Sequence, residues 1–328
     1  MELKLKNRDY YFDTLKGLLI LFVITGNSLE LASPQNVNTH YFILFLYMFH
    51  MPMFTFVSGY FCRLSKRTTV QKVKSTFKLY FFAQLAYIIF YKYIIGCNGY
   101  KFELMYPQWT LWYLLSLTCW YILSDYVDNN KKWLIGSIIV SLILGFDNSI
   151  GSLSSISRTI FFFPFFIAGM SFKKEYVDIL KKHRLKLLAG SIIILIILYA
   201  LSHSIKIELL FELSSYSSYY DDLLFPLCIR AFHYIGAFLI GGFILTLIPN
   251  FRTIFSPIGK NSLVLYLLHG AISNILIGRG IARYSNLFVL ILSELLIIGV
   301  TILCAAIFLK LKNFYITKKS NISWYCFS

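Results

Sequence analysis

A small set of ionisable and amide side chains lies within long apolar stretches of this 328-residue chain. A polar group in such a stretch is costly to bury and usually faces a cavity or a partner. A neutral imidazole there can act as a general base, whereas a carboxamide can hydrogen-bond a substrate but cannot take its proton. The pattern therefore predicts a buried site for proton-transfer chemistry. The residues are Lys16, Asn27, Glu30, His50, Arg158, Arg230, His233 and His269.

The first two apolar stretches bring two of these side chains to a similar depth. As an α-helix, residues 16–27 rise ~16 Å, so Asn27 lies well inside the bilayer when Lys16 lies near one face. His50 lies ~15 Å from the opposite face on the second stretch. Helices joined by a short connection usually pack together, so we expect Asn27 and His50 to face each other. Asn27 or Glu30 would orient the imidazole or the substrate, although a structural histidine bonded to a carbonyl explains the same pattern.

Other polar residues admit both a ligand-binding and a plainer interpretation. The basic segment 63–78, which includes Lys74 and Lys78, is suited to donor phosphates, but topology and lipid headgroups explain it equally. Ser58 precedes a glycine, which lets either a ligand or another helix come close. Trp112 marks either a membrane interface or a platform for a sugar ring.

The two arginines within apolar stretches also need partners. Arg158 begins the sixth apolar stretch and can pair with Glu30 or with a sugar or lipid phosphate. Arg230 and His233 are three residues apart and share one helical face. An arginine at that depth is not expected to face lipid.

The composition indicates a membrane protein. Hydrophobic residues make up 58% of the chain and charged residues 14%, against about a quarter charged in soluble domains. The mean hydropathy is +0.67. The net charge of +16 fits membrane orientation and anionic lipid and does not indicate nucleic acid. The six cysteines lack CxxC or metal-ligand spacing, so neither a metal site nor a disulfide framework is predicted.

Hydropathy at the length of a membrane span predicts an all-α, polytopic bundle of about ten helices. Lys and Arg concentrate in alternate connections, including Lys4, Lys6 and Arg8, so both termini are expected to be cytoplasmic. Residues 1–328 are expected to form a single multi-pass domain in the cell membrane, with no separate soluble domain. The predicted helices are 14–32, 40–61, 76–96, 109–126, 133–147, 158–172, 185–203, 223–248, 261–277 and 286–309.

Five segments together resemble the acyltransferase-3 family of integral-membrane O-acyltransferases, especially its fucose 4-O-acetylase-like branch. They follow the family order along nearly the whole chain. They are 8–16 (RDYYFDTLK), 49–61 (FHMPMFTFVSGYF), 109–115 (WTLWYLL), 158–169 (RTIFFFPFFIAG) and 258–269 (IGKNSLVLYLLH).

The resemblance implies about ten membrane helices and transfer of an acyl group from cytoplasmic acyl-CoA, with no tightly bound cofactor. The acceptor would be a sugar hydroxyl of an exopolysaccharide or a cell-surface or lipid-linked glycan. The family pattern is a basic residue, ten residues, then a histidine considered catalytic. This chain has Lys16 at the first position but Asn27 at the second.

Because an amide cannot act as the base, the expected roles are shared among several residues. His50 would be the base, with Asn27 and Glu30 beside it. A transporter or flippase for a glycan or acyl group and a catalytically inactive family member remain alternatives. The other expected contacts are Lys16, Lys74, Lys78 and Ser58 on the donor side, and Arg158, Trp112, Arg230 and His233 on the acceptor side.

Overall fold

The computed structural model describes residues 9–32, 37–97, 103–149 and 155–325, and these residues form helices and loops without a strand. Lys4, Lys6 and Arg8 lie outside the described residues. The helices are α1 (Tyr10–Ala32), α2 (Val37–Leu64), α3 (Thr69–Ile89), α4 (Trp112–Ser124), α5 (Asn130–Leu144), α6 (Ile156–Ser171), α7 (Tyr176–Lys182), α8 (Arg184–Leu201), α9 (Ile207–Leu210), α10 (Leu224–Leu247), α11 (Ser256–Lys260), α12 (Ser262–Gly278) and α13 (Leu287–Tyr325).

A helix lies at each of the ten predicted positions. Two are extended by short segments: α3 continues as a π-helix, Phe90–Ile95, and a 3₁₀ turn, Trp109–Leu111, precedes α4. Within the described ranges, five helices are long and apolar enough to cross a membrane, namely α1, α2, α8, α10 and α13. α6 and α12 are apolar but shorter than the ~20 residues of a typical span. The all-helical class is confirmed, whereas ten spans and cytoplasmic termini stay predictions.

α1 and α2 form the centre of the bundle. α1 packs against α2, α11, α12 and α13, and α2 packs against α6, α8 and α10. A Cβ on Gly59 would lie 2.0 Å from the Phe166 carbonyl oxygen, and one on Gly169 would lie 1.9 Å from that of Phe56. Only glycine permits this approach of α2 to α6. Helix packing, one of the two interpretations of this segment, therefore accounts for Gly59.

Aromatic side chains fix α6 against α4 and α10. The Trp120 indole donates to the Thr159 carbonyl at 2.7 Å, and Tyr234 on α10 donates to the Phe161 carbonyl at 2.8 Å. The rings of Trp112 and Phe162 lie 5.3 Å apart. These contacts fix the first turns of α6, which carry Arg158, against α4 and α10.

Candidate functional site

A cavity of about 50 Å³, called here the polar cavity, lies between α1, α2, α12 and the starts of α4 and α6. One water needs ~10–15 Å³ by this measure, so the space suits a few waters or a group as small as an acetyl. Its lining includes five residues that were each predicted from the sequence as site residues: Asn27, Glu30, His50, Trp112 and Arg158. Its other polar or aromatic neighbours include Tyr47, Trp109, Thr110, Phe211 and Tyr266.

A chain of hydrogen bonds runs along one wall of the polar cavity. The Tyr47 hydroxyl lies 2.5 Å from Glu30 Oε2 and 3.0 Å from Asn27 Oδ1, and its single proton is shared between these two acceptors. Asn27 Nδ2 lies 3.0 Å from His269 Nε2, and His269 Nδ1 lies 2.7 Å from the Tyr266 carbonyl oxygen. The chain connects α1, α2 and α12 and fixes the Asn27 side chain at their junction.

His50 is buried against the same cavity with one ring nitrogen engaged. Its Nδ1 lies 2.5 Å from the Leu46 carbonyl oxygen, which can only accept, so Nδ1 carries the proton. Nε2 then has a lone pair, and within the described residues it has no hydrogen-bond partner. The ring is oriented by the Leu46 carbonyl and not by Asn27 or Glu30. This is the arrangement that a neutral general base requires.

Arg158 and Trp112 form the wall opposite α1. The guanidinium lies 5.0 Å from the Trp112 ring centroid, and its Nε donates to the Phe211 carbonyl at 2.9 Å. Glu30 borders the same cavity and interacts electrostatically with Arg158. The wall therefore offers a cation and an aromatic face side by side.

A second cavity of about 190 Å³, called here the apolar cavity, lies toward the Lys16 end of α1. It shares three lining residues with the polar cavity, Val23, Met51 and Tyr266. Lys16 and Ser58 line it; Lys16 Nζ lies 3.1 Å from Asp13 Oδ1, and Ser58 Oγ lies 2.7 Å from the Tyr113 hydroxyl. The two cavities therefore adjoin each other, with the basic residue Lys16 in the lining of the apolar one.

The other two expected donor contacts lie elsewhere. Lys74 and Lys78 are exposed on α3 and line neither cavity. Lys72, two residues earlier, turns inward and donates to the Cys62 carbonyl at 3.2 Å.

Arg230 and His233 also lie apart from both cavities. They form a buried group with Glu212, called here the closed cluster: Arg230 Nε lies 2.5 Å from Glu212 Oε2, and His233 Nδ1 lies 3.2 Å from Glu212 Oε1. Each of the three side chains is at most 1% exposed. Arg230 also donates to the Ser141 carbonyl at 3.0 Å and faces the Tyr216 ring.

The sequence model of one family, described as an acyltransferase domain (Acyl_transf_3), matches residues 9–310. The chain belongs to the acyltransferase-3 family. It is 27% identical over 202 residues to the nodulation protein NolL of Sinorhizobium fredii, covering 54% of this chain and 53% of that protein. It is 42% identical over 57 residues to NolL of Mesorhizobium japonicum, covering 16% and 15% of the two chains. These matches span about half and about a sixth of the two relatives. No solved structure matches the chain significantly.

For a member of the acyltransferase-3 family, the placement of the basic residue and of Asn27 is informative. Lys16 borders the apolar cavity and Asn27 the polar cavity, so the ten-residue spacing on α1 places one residue of the family pattern at each cavity. The expected membrane acyltransferase class is therefore supported by both the family and the helices.

Sequence reasoning assigned no role to three residues of these clusters. His269 was noted only as a polar residue at depth, and its bond to Asn27 joins residues 242 positions apart. Tyr47 carries no charge and so did not stand out among the aromatic residues of α2. Glu212 lies in an acidic connection, where the sequence does not distinguish it from its neighbours, and its carboxylate is buried against Arg230.

Proposed function

We propose that the protein is a membrane O-acyltransferase that moves an acyl group, acetyl in the simplest case, from acyl-CoA to a sugar hydroxyl. The acceptor would be an exopolysaccharide or a cell-surface or lipid-linked glycan. The observation that carries the proposal is the position of His50, Asn27 and Arg158 around one small cavity that adjoins the apolar cavity. A cell-membrane location, about ten spans and a single domain over residues 1–328 belong to the same proposal.

The donor would approach from the Lys16 end of α1. Lys16 attracts the negative charge of coenzyme A, and the apolar cavity accepts the uncharged arm that carries the thioester. Ser58 and Tyr113 offer hydroxyls along this path. Lys74 and Lys78 on the exposed face of α3 would attract the donor phosphates before binding. The acyl carbonyl would then reach the junction of the two cavities beside Tyr266.

The acceptor hydroxyl would enter the polar cavity from the Arg158 side. His50 Nε2 takes the hydroxyl proton while the oxygen attacks the thioester carbonyl carbon. A C–O bond forms, the C–S bond breaks, and the proton passes from His50 to the departing thiolate, which leaves as the free thiol. Trp112 offers an apolar face to the sugar ring, and Arg158 hydrogen-bonds its hydroxyls or a lipid-linked phosphate.

The proposal is tested with purified protein in lipid nanodiscs, supplied with acetyl-CoA labelled in the acetyl group and with a panel of methyl glycosides that includes methyl fucoside. We expect thiol release that depends on the sugar, together with an acetylated glycoside identified by mass. Labelled sugar that crosses a vesicle membrane without thiol release would favour a transporter and contradict the proposal.

A further inference from the structure

We propose that Asn27 is the oxyanion donor of the proposed reaction and that His269 is the positioning residue that aims its amide. This assignment rests on the proposed acyl transfer and deepens it. It gives a specific chemical role to the amide at the position where the family pattern has a base, and it leaves the base function to His50 on α2.

The His269 ring has a single hydrogen-bonding orientation. Its Nδ1 lies 2.7 Å from the Tyr266 carbonyl oxygen, which can only accept, so the proton is on Nδ1. Nε2 therefore has a lone pair, and only a donor can satisfy it. The atom 3.0 Å away belongs to the Asn27 carboxamide. The nitrogen of that carboxamide must face His269.

Tyr47 fixes the other end of the same amide. Its hydroxyl lies 3.0 Å from Asn27 Oδ1, and its single proton is shared between that oxygen and Glu30 Oε2. An amide with a hydrogen-bond acceptor at its nitrogen and a donor at its oxygen cannot flip without losing both bonds. The Asn27 amide group is therefore held in one orientation by α2 on one side and α12 on the other.

The Asn27 nitrogen retains one N–H group beyond the bond to His269. No partner for this second N–H exists among the residues that the structure describes, and Asn27 borders the polar cavity. A carbonyl oxygen placed in the cavity would accept from it. An amide side chain in this role stabilises the charge that develops on the oxygen of a tetrahedral intermediate.

The two imidazoles then have different roles in one reaction. His50 Nε2 accepts the proton of the attacking hydroxyl. The former thioester carbonyl oxygen becomes negatively charged, and the Asn27 N–H donates a hydrogen bond to it. When the C–S bond breaks, the carbonyl reforms and the proton leaves with the thiolate. His269 exchanges no proton because the Asn27 amide occupies its lone pair.

The test measures kcat and KM for acetyl transfer from acetyl-CoA to methyl fucoside in Asn27→Asp, Asn27→Ala, His269→Leu and His269→Gln variants. Asp has the shape of Asn but no N–H, and Ala removes the group without adding charge. We expect either change to lower kcat by about 10²–10³ with little change in KM for acetyl-CoA. Asn274→Asp on α12 is the control, because Asn274 bonds to Gly270 and Tyr91 outside both cavities.

His269→Leu should lower kcat, and His269→Gln should restore part of it, because the Gln oxygen can again accept from Asn27. In the Asn27→Ala background His269→Leu should cost nothing further, since its effect acts through the amide. Equal losses in both backgrounds would overturn the positioning role. Wild-type kcat in folded Asn27→Asp and Asn27→Ala would overturn the oxyanion role while leaving the proposed function intact. Absence of transfer by the wild type would instead overturn the function.

Discussion

Two buried polar groups in this protein contain the same kinds of side chain but differ in their surroundings. The cavity cluster consists of Asn27, Glu30, Tyr47 and His269, and it borders a space of about 50 Å³ beside His50. The closed cluster consists of Glu212, Arg230 and His233, whose side chains are at most 1% exposed and line neither of the two cavities.

The difference teaches that a buried ionisable residue is a functional candidate only when space for a ligand adjoins it. Like His50, Arg230 and His233 are ionisable residues within apolar stretches, and by this placement alone all three would be functional candidates. Glu212, however, pairs with the arginine inside the protein, and neither of the two cavities is lined by this pair. The closed cluster instead fixes the segment before α10, whose Phe211 borders the polar cavity.

The largest expected effect separates the two histidines on α2 and α10. His50→Gln removes the base, and we expect kcat for acetyl transfer to fall about 10²–10⁴-fold with an unchanged thermal midpoint in detergent. His203→Gln, at an exposed position, is the control. His233→Gln should lower the thermal midpoint and keep most of kcat. If His233→Gln lost kcat and His50→Gln kept it, the reaction centre would instead lie at the closed cluster.

The next effect is on stability. Glu212→Gln leaves the Arg230 charge buried without its partner, and we expect a loss of about 3–5 kcal/mol in unfolding free energy. Denaturation followed by tryptophan fluorescence measures it, with the exposed Glu208→Gln as the control.

A paired replacement checks whether the closed cluster has any chemical role. Glu212→Leu combined with Arg230→Met removes both charges, and it should recover most of the lost stability because apolar side chains of similar volume can replace a buried ion pair. Transfer activity should remain. A folded double variant without activity would contradict the structural role of the cluster.

The sequence predicted the cavity cluster only in part, and physical reasons explain the rest. Asn27 and His50 line one cavity, and helical rise and a short connection between adjacent helices are what allow the sequence to predict this proximity. His269 could not be placed beside Asn27, because the packing of α12 on α1 depends on contacts distant in the chain. Gly259 on α11, the short helix just before α12, is an example: a Cβ there would lie 1.7 Å from the Asp13 carbonyl oxygen, so α1 and α11 touch through backbone.

The closed cluster escaped prediction for a different reason. Acidic residues in the segment 206–222 indicate an exposed connection, and Glu208 is indeed exposed. Glu212 is distinguished by its left-handed backbone, with φ of 54°, which turns the chain and directs the carboxylate inward. Composition cannot distinguish two glutamates that are four residues apart.

A smaller effect tests the wall of the polar cavity. Arg158→Lys keeps the charge but removes the Nε bond to Phe211 and the planar contact with Trp112. We expect KM for the sugar acceptor to rise about tenfold, which corresponds to ~1.4 kcal/mol, with kcat nearly unchanged. Steady-state kinetics with methyl fucoside measure it. A change confined to KM for acetyl-CoA would place Arg158 on the donor side instead.

The most direct test of the cavity cluster as the reaction centre is an experimental structure with a thioether ketone analogue of acetyl-CoA, which cannot be cleaved. We expect the ketone oxygen about 2.7–3.1 Å from Asn27 Nδ2. The ketone carbon should lie in the polar cavity close to His50, with the coenzyme A arm along the apolar cavity toward Lys16. An analogue bound with its ketone outside the polar cavity would contradict the account.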